Sequence, residues 1–223
     1  MRAEPPASCR VAETTACMKI EKIEQSKHGQ ERVLVHLEGE ETLRITKEEL
    51  LRFDLYTGLD ISPEAVVELK KSAARSETRL RAVNMVSARA LSKKELTKRL
   101  RDKGAEEADA DAAADWLEDI GALDDAAYAK TIVRHYSAKG YGAAKYRDEL
   151  FRRGVPREYW EEALASAPPA EEIATRVAAE RTKGKPMDDR ERKRISDLLL
   201  RRGFSWSEIR PALEALGAEM EEE

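Results

Sequence analysis

The sequence predicts a mostly α protein of tandem three-helix modules in an elongated, curved array, with a small antiparallel β-rich region at its N-terminus. Three observations predict this fold class. Ala, Leu, Glu, Lys and Arg dominate, while the 223 residues hold only 11 Gly and 8 Pro, a balance that suits long helices with few tight turns. Charged residues make up 38% of the chain and aromatic residues 5%, so slender helices sharing small cores are expected rather than one deep core. Finally, a leucine-to-glycine segment occurs three times, as Leu100-Arg101-Asp102-Lys103-Gly104, Leu150-Phe151-Arg152-Arg153-Gly154 and Leu199-Leu200-Arg201-Arg202-Gly203. Its glycines are 50 and then 49 residues apart, a period that accommodates two or three helices per unit.

In chain order, residues 1–17 carry Pro5-Pro6 and no periodicity and are expected to form a disordered arm. From Met18 to about residue 60, alternating β-favouring pieces at Met18–Ile23, Arg32–Leu37 and Thr42–Ile45, with Gly29 and Gly39 between them, predict a three-stranded antiparallel sheet. Thr46-Lys47-Glu48-Glu49 then reads as a capping box for a short helix. The first helical module is placed at 61–123. Ser62-Pro63-Glu64 starts its leading helix, with a hydroxyl acceptor and a proline whose missing N–H costs nothing at that position, and a break is expected near Ser76. Ser92-Lys93-Lys94-Glu95 opens a second helix that turns Leu96 and Leu100 inward. A third helix offers Ala113, Trp116, Leu117 and Ile120 along one face.

The second module, 124–168, is led by Tyr128, Ile132 and Tyr136 at four-residue steps, and Pro168-Pro169 separates it from the third, 169–218. Ile173, Ala174, Val177 and Ala178 lead that third module more weakly. The downstream helices are in register: Trp160 and Leu164 lie six and ten residues past Gly154, as Ile209 and Leu213 do past Gly203. Pro211 implies that the last helix either starts near Ser207 or is kinked. An acidic tail, 219–223, closes the chain.

Searching for chemistry yields little. No G-x-x-x-x-G-K-[ST] phosphate loop is present, and neither Gly140-Tyr141-Gly142 nor Lys183-Gly184-Lys185 has its spacing. His28, His36 and His135 are isolated, and Cys9 and Cys17 lie in no metal-ligand spacing, so no catalytic residue, metal or cofactor is expected. The thiols read as reduced, and no apolar run of signal-peptide or membrane-spanning length is present; a cytoplasmic protein is expected. Asp124-Asp125 and Asp188-Asp189 could serve Mg²⁺ or acid–base work, but both pairs directly precede helical patterns, where aspartate accepts backbone N–H bonds.

A net charge of −4 and a pI near 5.7 argue against a protein that simply coats nucleic acid. The pattern is more informative than the sum. Bases gather at Lys93, Lys94, Lys98, Arg101 and Lys103, at Lys145, Arg152 and Arg153, and at Arg192, Lys193, Arg194, Arg201 and Arg202. Taken singly, each cluster is most simply a solvated helix face or a favourable charge at a helix C-terminus. Taken together in a stacked array they would form an interrupted basic stripe beside acidic linkers, suited to a partner that is part protein and part nucleic acid.

Three segments carry a resemblance. Arg89-Ala90-Leu91-Ser92-Lys93-Lys94-Glu95-Leu96, then Gly121-Ala122-Leu123-Asp124-Asp125-Ala126-Ala127-Tyr128-Ala129, then Lys139-Gly140 followed by Glu149-Leu150-Phe151-Arg152-Arg153-Gly154-Val155, are similar to motifs of the RecX family, modulators of RecA. The likeness spans roughly residues 80 to 165. Ala122 stands where that family usually has a larger side chain, and Tyr146 where isoleucine is common, which bears on the repeat boundaries. The resemblance implies a non-enzymatic monomer of DNA repair, recombination and the SOS response that binds RecA and RecA–DNA filaments. It also implies restraint of their ATP hydrolysis, strand exchange and coprotease activity. An alternative of a different class is a helical protein that binds duplex or single-stranded DNA directly, since helix trios of this size also enter DNA grooves.

Overall fold

The computed structural model describes residues 17–26, 32–182 and 188–221. Most of the arm at 1–17, Cys9, His28, Gly29, the Lys183-Gly184-Lys185 segment and the last two glutamates of the tail lie outside them. The chain divides into two compact units, Met1–Asn84 with Leu100–Ala113, and Met85–Arg99 with Ala114–Glu223.

The first unit is built on a sheet of four strands, β1 (Met18–Gln25), β2 (Arg32–Leu37), β3 (Thr42–Thr46) and β4 (Asp60–Ile61), in the order β3-β2-β1-β4. Every pairing is antiparallel. Alternation works as expected on β2, where Val33, Val35 and Leu37 face the core, and on β3, where Leu43 and Ile45 do. The sheet has four strands rather than the expected three, because the edge strand β4 contributes only Asp60 and Ile61, too short to show a period in sequence. Helix α1 (Lys47–Arg52) opens on the anticipated capping box: the Thr46 hydroxyl accepts the Glu49 N–H at 3.3 Å, and the Glu49 carboxylate accepts the Thr46 N–H at 2.8 Å.

Helix α2 (Pro63–Ala88) is unbroken, so the break expected near Ser76 is absent. A mid-helix serine lowers helix propensity only slightly, and here it has a partner. Ser72 and Ser76, one turn apart, donate to the buried Glu49 carboxylate at 3.1 and 2.6 Å. Val66 and Leu69, earlier in α2, join the sheet's core.

Helices α3 (Lys93–Asp102) and α4 (Glu107–Asp119) follow. Leu96, Leu100, Ala113 and Leu117 are buried as expected, but Ile120 is 57% exposed. Helix α4 ends one residue before Ile120, and the chain turns so that the N–H groups of Ala122 and Leu123 both reach the Leu117 carbonyl, at 2.9 and 3.0 Å. Leu123 takes the inward place.

Within the second unit lie two consecutive trios. The first contains α5 (Asp125–Ala138), α6 (Ala143–Arg152) and α7 (Trp160–Ala165), the last preceded by a 3-10 turn at Arg157–Tyr159. Its core is Tyr128, Ala129, Ile132, Val133, Tyr146, Leu150, Val155 and Ala163. Helices α8 (Ala170–Thr182), α9 (Asp189–Arg201) and α10 (Trp206–Glu221) enclose the other. There Ile173 and Val177 meet Ile195, Leu199, Phe204, Ile209 and Leu213, so the small residues of α8 are compensated by larger ones on α9 and α10. Helix α10 runs through Pro211. The carbonyl deprived of its N–H partner there belongs to Ser207, an exposed residue that water can reach. The expected acidic tail begins inside α10, which continues to Glu221.

Candidate partner-binding surface

Three of the four paired aspartates accept backbone N–H groups at helix starts. Asp124 accepts the Ala127 N–H at 2.8 Å and Asp188 the Glu191 N–H at 2.6 Å. Asp125, buried, reaches across to the start of α3 and accepts the Lys93 N–H at 2.9 Å. Burial pushes its carboxyl up from the usual aspartate range, and that hydrogen bond opposes the rise. Among the described residues, no group of three or more His, Cys, Asp or Glu side chains is placed to hold a metal ion. Nor is any helix there long and apolar enough to cross a membrane. The remaining described histidines sit in structural contacts: His36 lies 3.3 Å from the Glu24 carboxylate, and His135 is edge-on to Tyr136.

The bases singled out in the sequence have two different fates. One set is already engaged. Lys93 bridges Asp115 at 2.7 Å and Glu118 at 2.6 Å, and those two carboxylates hold its ammonium well above the usual lysine range. Arg101 pairs with Glu107 at 2.8 Å and Arg194 with Glu191 at 3.2 Å. On α6, the buried Glu149 gathers Lys145 at 2.8 Å, Arg152 at 3.1 Å and Arg153 at 3.5 Å. Burial alone would raise the Glu149 pKa; the hydrogen bonds from Lys145 and Tyr136 and the charges of Lys145 and Arg152 outweigh it, and the net displacement is downward. Arg153 also donates to the Tyr128 hydroxyl at 2.8 Å. Arg202 donates to the Gly140 carbonyl at 3.3 Å and lies over the Tyr141 ring.

The other set makes no ion pair with a described residue: Lys94, Lys98, Lys103, Arg192, Lys193 and Arg201, all on exposed positions. Lys94 and Lys193 each stand ten residues before their repeat glycine, Gly104 and Gly203, so the same helix position is cationic in the first and third repeats. Within the second unit the structure brings some clusters together. The Lys94 stem packs beside Gly154 at the end of α6, next to Arg153, and Gly203 at the end of α9 packs beside Lys145. Arg192, Lys193 and Arg194 lie at the opposite end of α9 from Arg201 and Arg202. Arg101 and Lys103 belong to the first unit.

Glu149 and Asp125 were not singled out as part of this surface in the sequence. Glu149 was legible, since Lys145, Glu149 and Arg153 fall at successive i, i+4 steps. Asp125 was not, because its partner amide lies 32 residues away.

Consecutive helix trios with a period of about 50 residues and basic helix ends define a tandem three-helix repeat protein. Residues 79–117 match the family model described as RecX, first three-helix domain, and residues 124–164 that described as RecX, second three-helix domain. A regulatory protein RecX of Chromohalobacter salexigens is 35% identical over 133 residues, covering 59% of this chain and 88% of the relative. One from Xanthomonas axonopodis pv. citri is 37% identical over 137 residues, covering 59% and 83%. The chain belongs to the RecX family. Its fold is shared with a crystal structure of regulatory protein RecX at TM-score 0.67 and 21% identity, covering 92% of this chain and all of that one. RecX from Lactobacillus salivarius superposes at TM-score 0.59 and 22% identity, covering 67% and 98%.

Proposed function

We propose that this chain is a cytoplasmic, monomeric, non-enzymatic regulator that binds RecA and RecA–DNA filaments and lowers their ATPase, strand-exchange and coprotease activities. Its working parts are taken as the sheet region 18–60 and helical modules at 61–123, 124–168 and 169–218. What carries the reading is family membership: the chain matches 88% of the length of a 35% identical regulatory relative. Of the clustered bases, Lys94, Lys98, Lys103, Arg192, Lys193 and Arg201, which make no ion pair with a described residue, are those proposed to meet a partner, whereas Lys93, Arg101, Lys145, Arg152, Arg153, Arg194 and Arg202 chiefly hold the surface in place. Unpaired bases keep their charge for intermolecular contact without first breaking an internal ion pair.

Reversing Lys94, Lys98 and Arg201 to glutamate together is expected to weaken binding to a fluorescent RecA–DNA filament by roughly tenfold or more, with helicity by circular dichroism unchanged. Undiminished binding would remove these residues from the contact. A second reading, direct binding to DNA, draws on the same exposed Lys94 and Lys193 at equivalent repeat positions. It predicts tight, steeply salt-dependent binding to bare duplex or single strand in the absence of RecA.

A further inference from the structure

The repeats contain a second, subtler recurrence, in how they are joined. Every helix end leaves backbone groups without intrahelical partners, N–H at the start and C=O at the finish, carrying opposite partial charges. In this chain two such ends satisfy each other. The Gly142 N–H, at the start of α6, donates to the Arg202 carbonyl at 2.9 Å, and the Ala144 N–H donates to the Gly203 carbonyl at 3.2 Å, at the end of α9. Gly142 has no side-chain cap of its own; the end of α9 takes that role. One repeat earlier, Ser92 at the start of α3 donates its hydroxyl to the Arg153 carbonyl at the end of α6. Ser92 and Gly142 are 50 residues apart, and Arg153 and Arg202 are 49 apart, the period of the glycines. The start of one helix therefore meets the end of the helix one repeat on at equivalent positions twice, through a side-chain hydroxyl at Ser92 and through backbone N–H groups at Gly142 and Ala144.

The joints are tight. A Cβ on Gly142 would lie 2.5 Å from the Gly203 carbonyl oxygen and 2.7 Å from the Phe204 amide nitrogen, both backbone atoms with no easy way to give. A Cβ on Gly203 would lie 2.8 Å from the Lys145 amide nitrogen. Gly104, the equivalent residue in the first repeat, has nearly the same backbone conformation, φ +85° against +87°, yet faces open space. Steric demand, not turn geometry alone, thus separates Gly203 from Gly104.

We propose that the paired helix ends are positioning joints, in which Gly142 and Gly203 lock α6 to α9 so that two exposed bases, Lys94 packed beside Gly154 at the end of α6 and Arg201 at the end of α9, are presented to a partner at a fixed spacing. This rests on the filament-regulator reading for its functional half only. Linked contacts reinforce one another when their spacing is held, and act singly when it is not.

The test uses the full chain with Cys9 and Cys17 replaced by serine and spin labels on cysteines at the exposed Thr131 and Asp197. The parent is expected to give one narrow inter-label distance distribution. Gly142→Ala and Gly203→Ala should broaden or displace it, with helicity retained, while Gly104→Ala, which bears the same positive-φ strain as Gly203→Ala, should not. In RecA ATPase assays the first two variants should need roughly tenfold more protein for half-inhibition, and Gly104→Ala should match the parent. An unchanged distance distribution in Gly142→Ala and Gly203→Ala would overturn the joint itself. A disturbed distribution with undiminished inhibition would overturn its positioning role. If the parent does not inhibit RecA at all, the filament-regulator reading fails, while the distance measurement still decides whether the joint exists.

Discussion

Glu149 is 3% exposed and faces three bases, a burial that would be costly for a lone carboxylate. Its folded pKa lies below the ordinary value of 4.5, so above pH 4.5 the ionised form stabilises the fold. That contribution is lost as the pH falls from 4.5 through the folded value, because the unfolded chain binds the proton first. Glu149→Gln is expected to cost about 1.5–3 kcal/mol at neutral pH, the range for losing hydrogen bonds to a charged group. It should also flatten the acid limb of stability against pH, which urea unfolding at a series of pH values would measure. An unaltered acid limb would show that Lys145, Arg152 and Arg153 do not depend on this carboxylate. The buried Glu49 illustrates another solution to the same problem, since it is satisfied by hydroxyl and amide donors from Thr46, Ser72 and Ser76 rather than by a cation.

At the level of elements, burial pattern decides which helix faces are committed to packing and which are free. Leu199 and Leu200 are adjacent on α9, yet Leu199 is fully buried in the third trio's core while Leu200 is 39% exposed. Leu199→Ala should therefore destabilise by about 2–5 kcal/mol, and Leu200→Ala by no more than about 0.5–1 kcal/mol, in denaturant titrations. Equal costs would contradict the orientation of α9. Helix starts were the most legible feature of the sequence, because Thr46, Asp124 and Asp188 announce themselves by side-chain type and spacing. Features set by distant partners were not legible: β4 exists because Asp60 and Ile61 meet Lys19 and Met18, and Ser76 stays helical because Glu49 is beside it. Ile120 was misread because the helical period was carried one residue past the end of α4.

For the whole molecule, 40 bases against 44 acids leave a net charge of −4, so the proposed binding to a polyanionic assembly would depend on which bases are paired internally. The sequence revealed the basic clusters but not that division, since pairings such as Lys93 with Asp115 and Glu118 span loops. The trios, their 50-residue period and the family were legible because the repeat glycines and the caps lie in contiguous segments. The proposed restraint of RecA rests on bases of a repeat scaffold that make no ion pair with a described residue. It is tested most directly by titrating the protein into RecA's DNA-dependent ATPase reaction. The rate should fall to a low plateau, and the Lys94, Lys98, Arg201 charge-reversal variant should require roughly tenfold more protein to reach it; an ATPase rate unmoved by saturating wild-type protein would contradict the account.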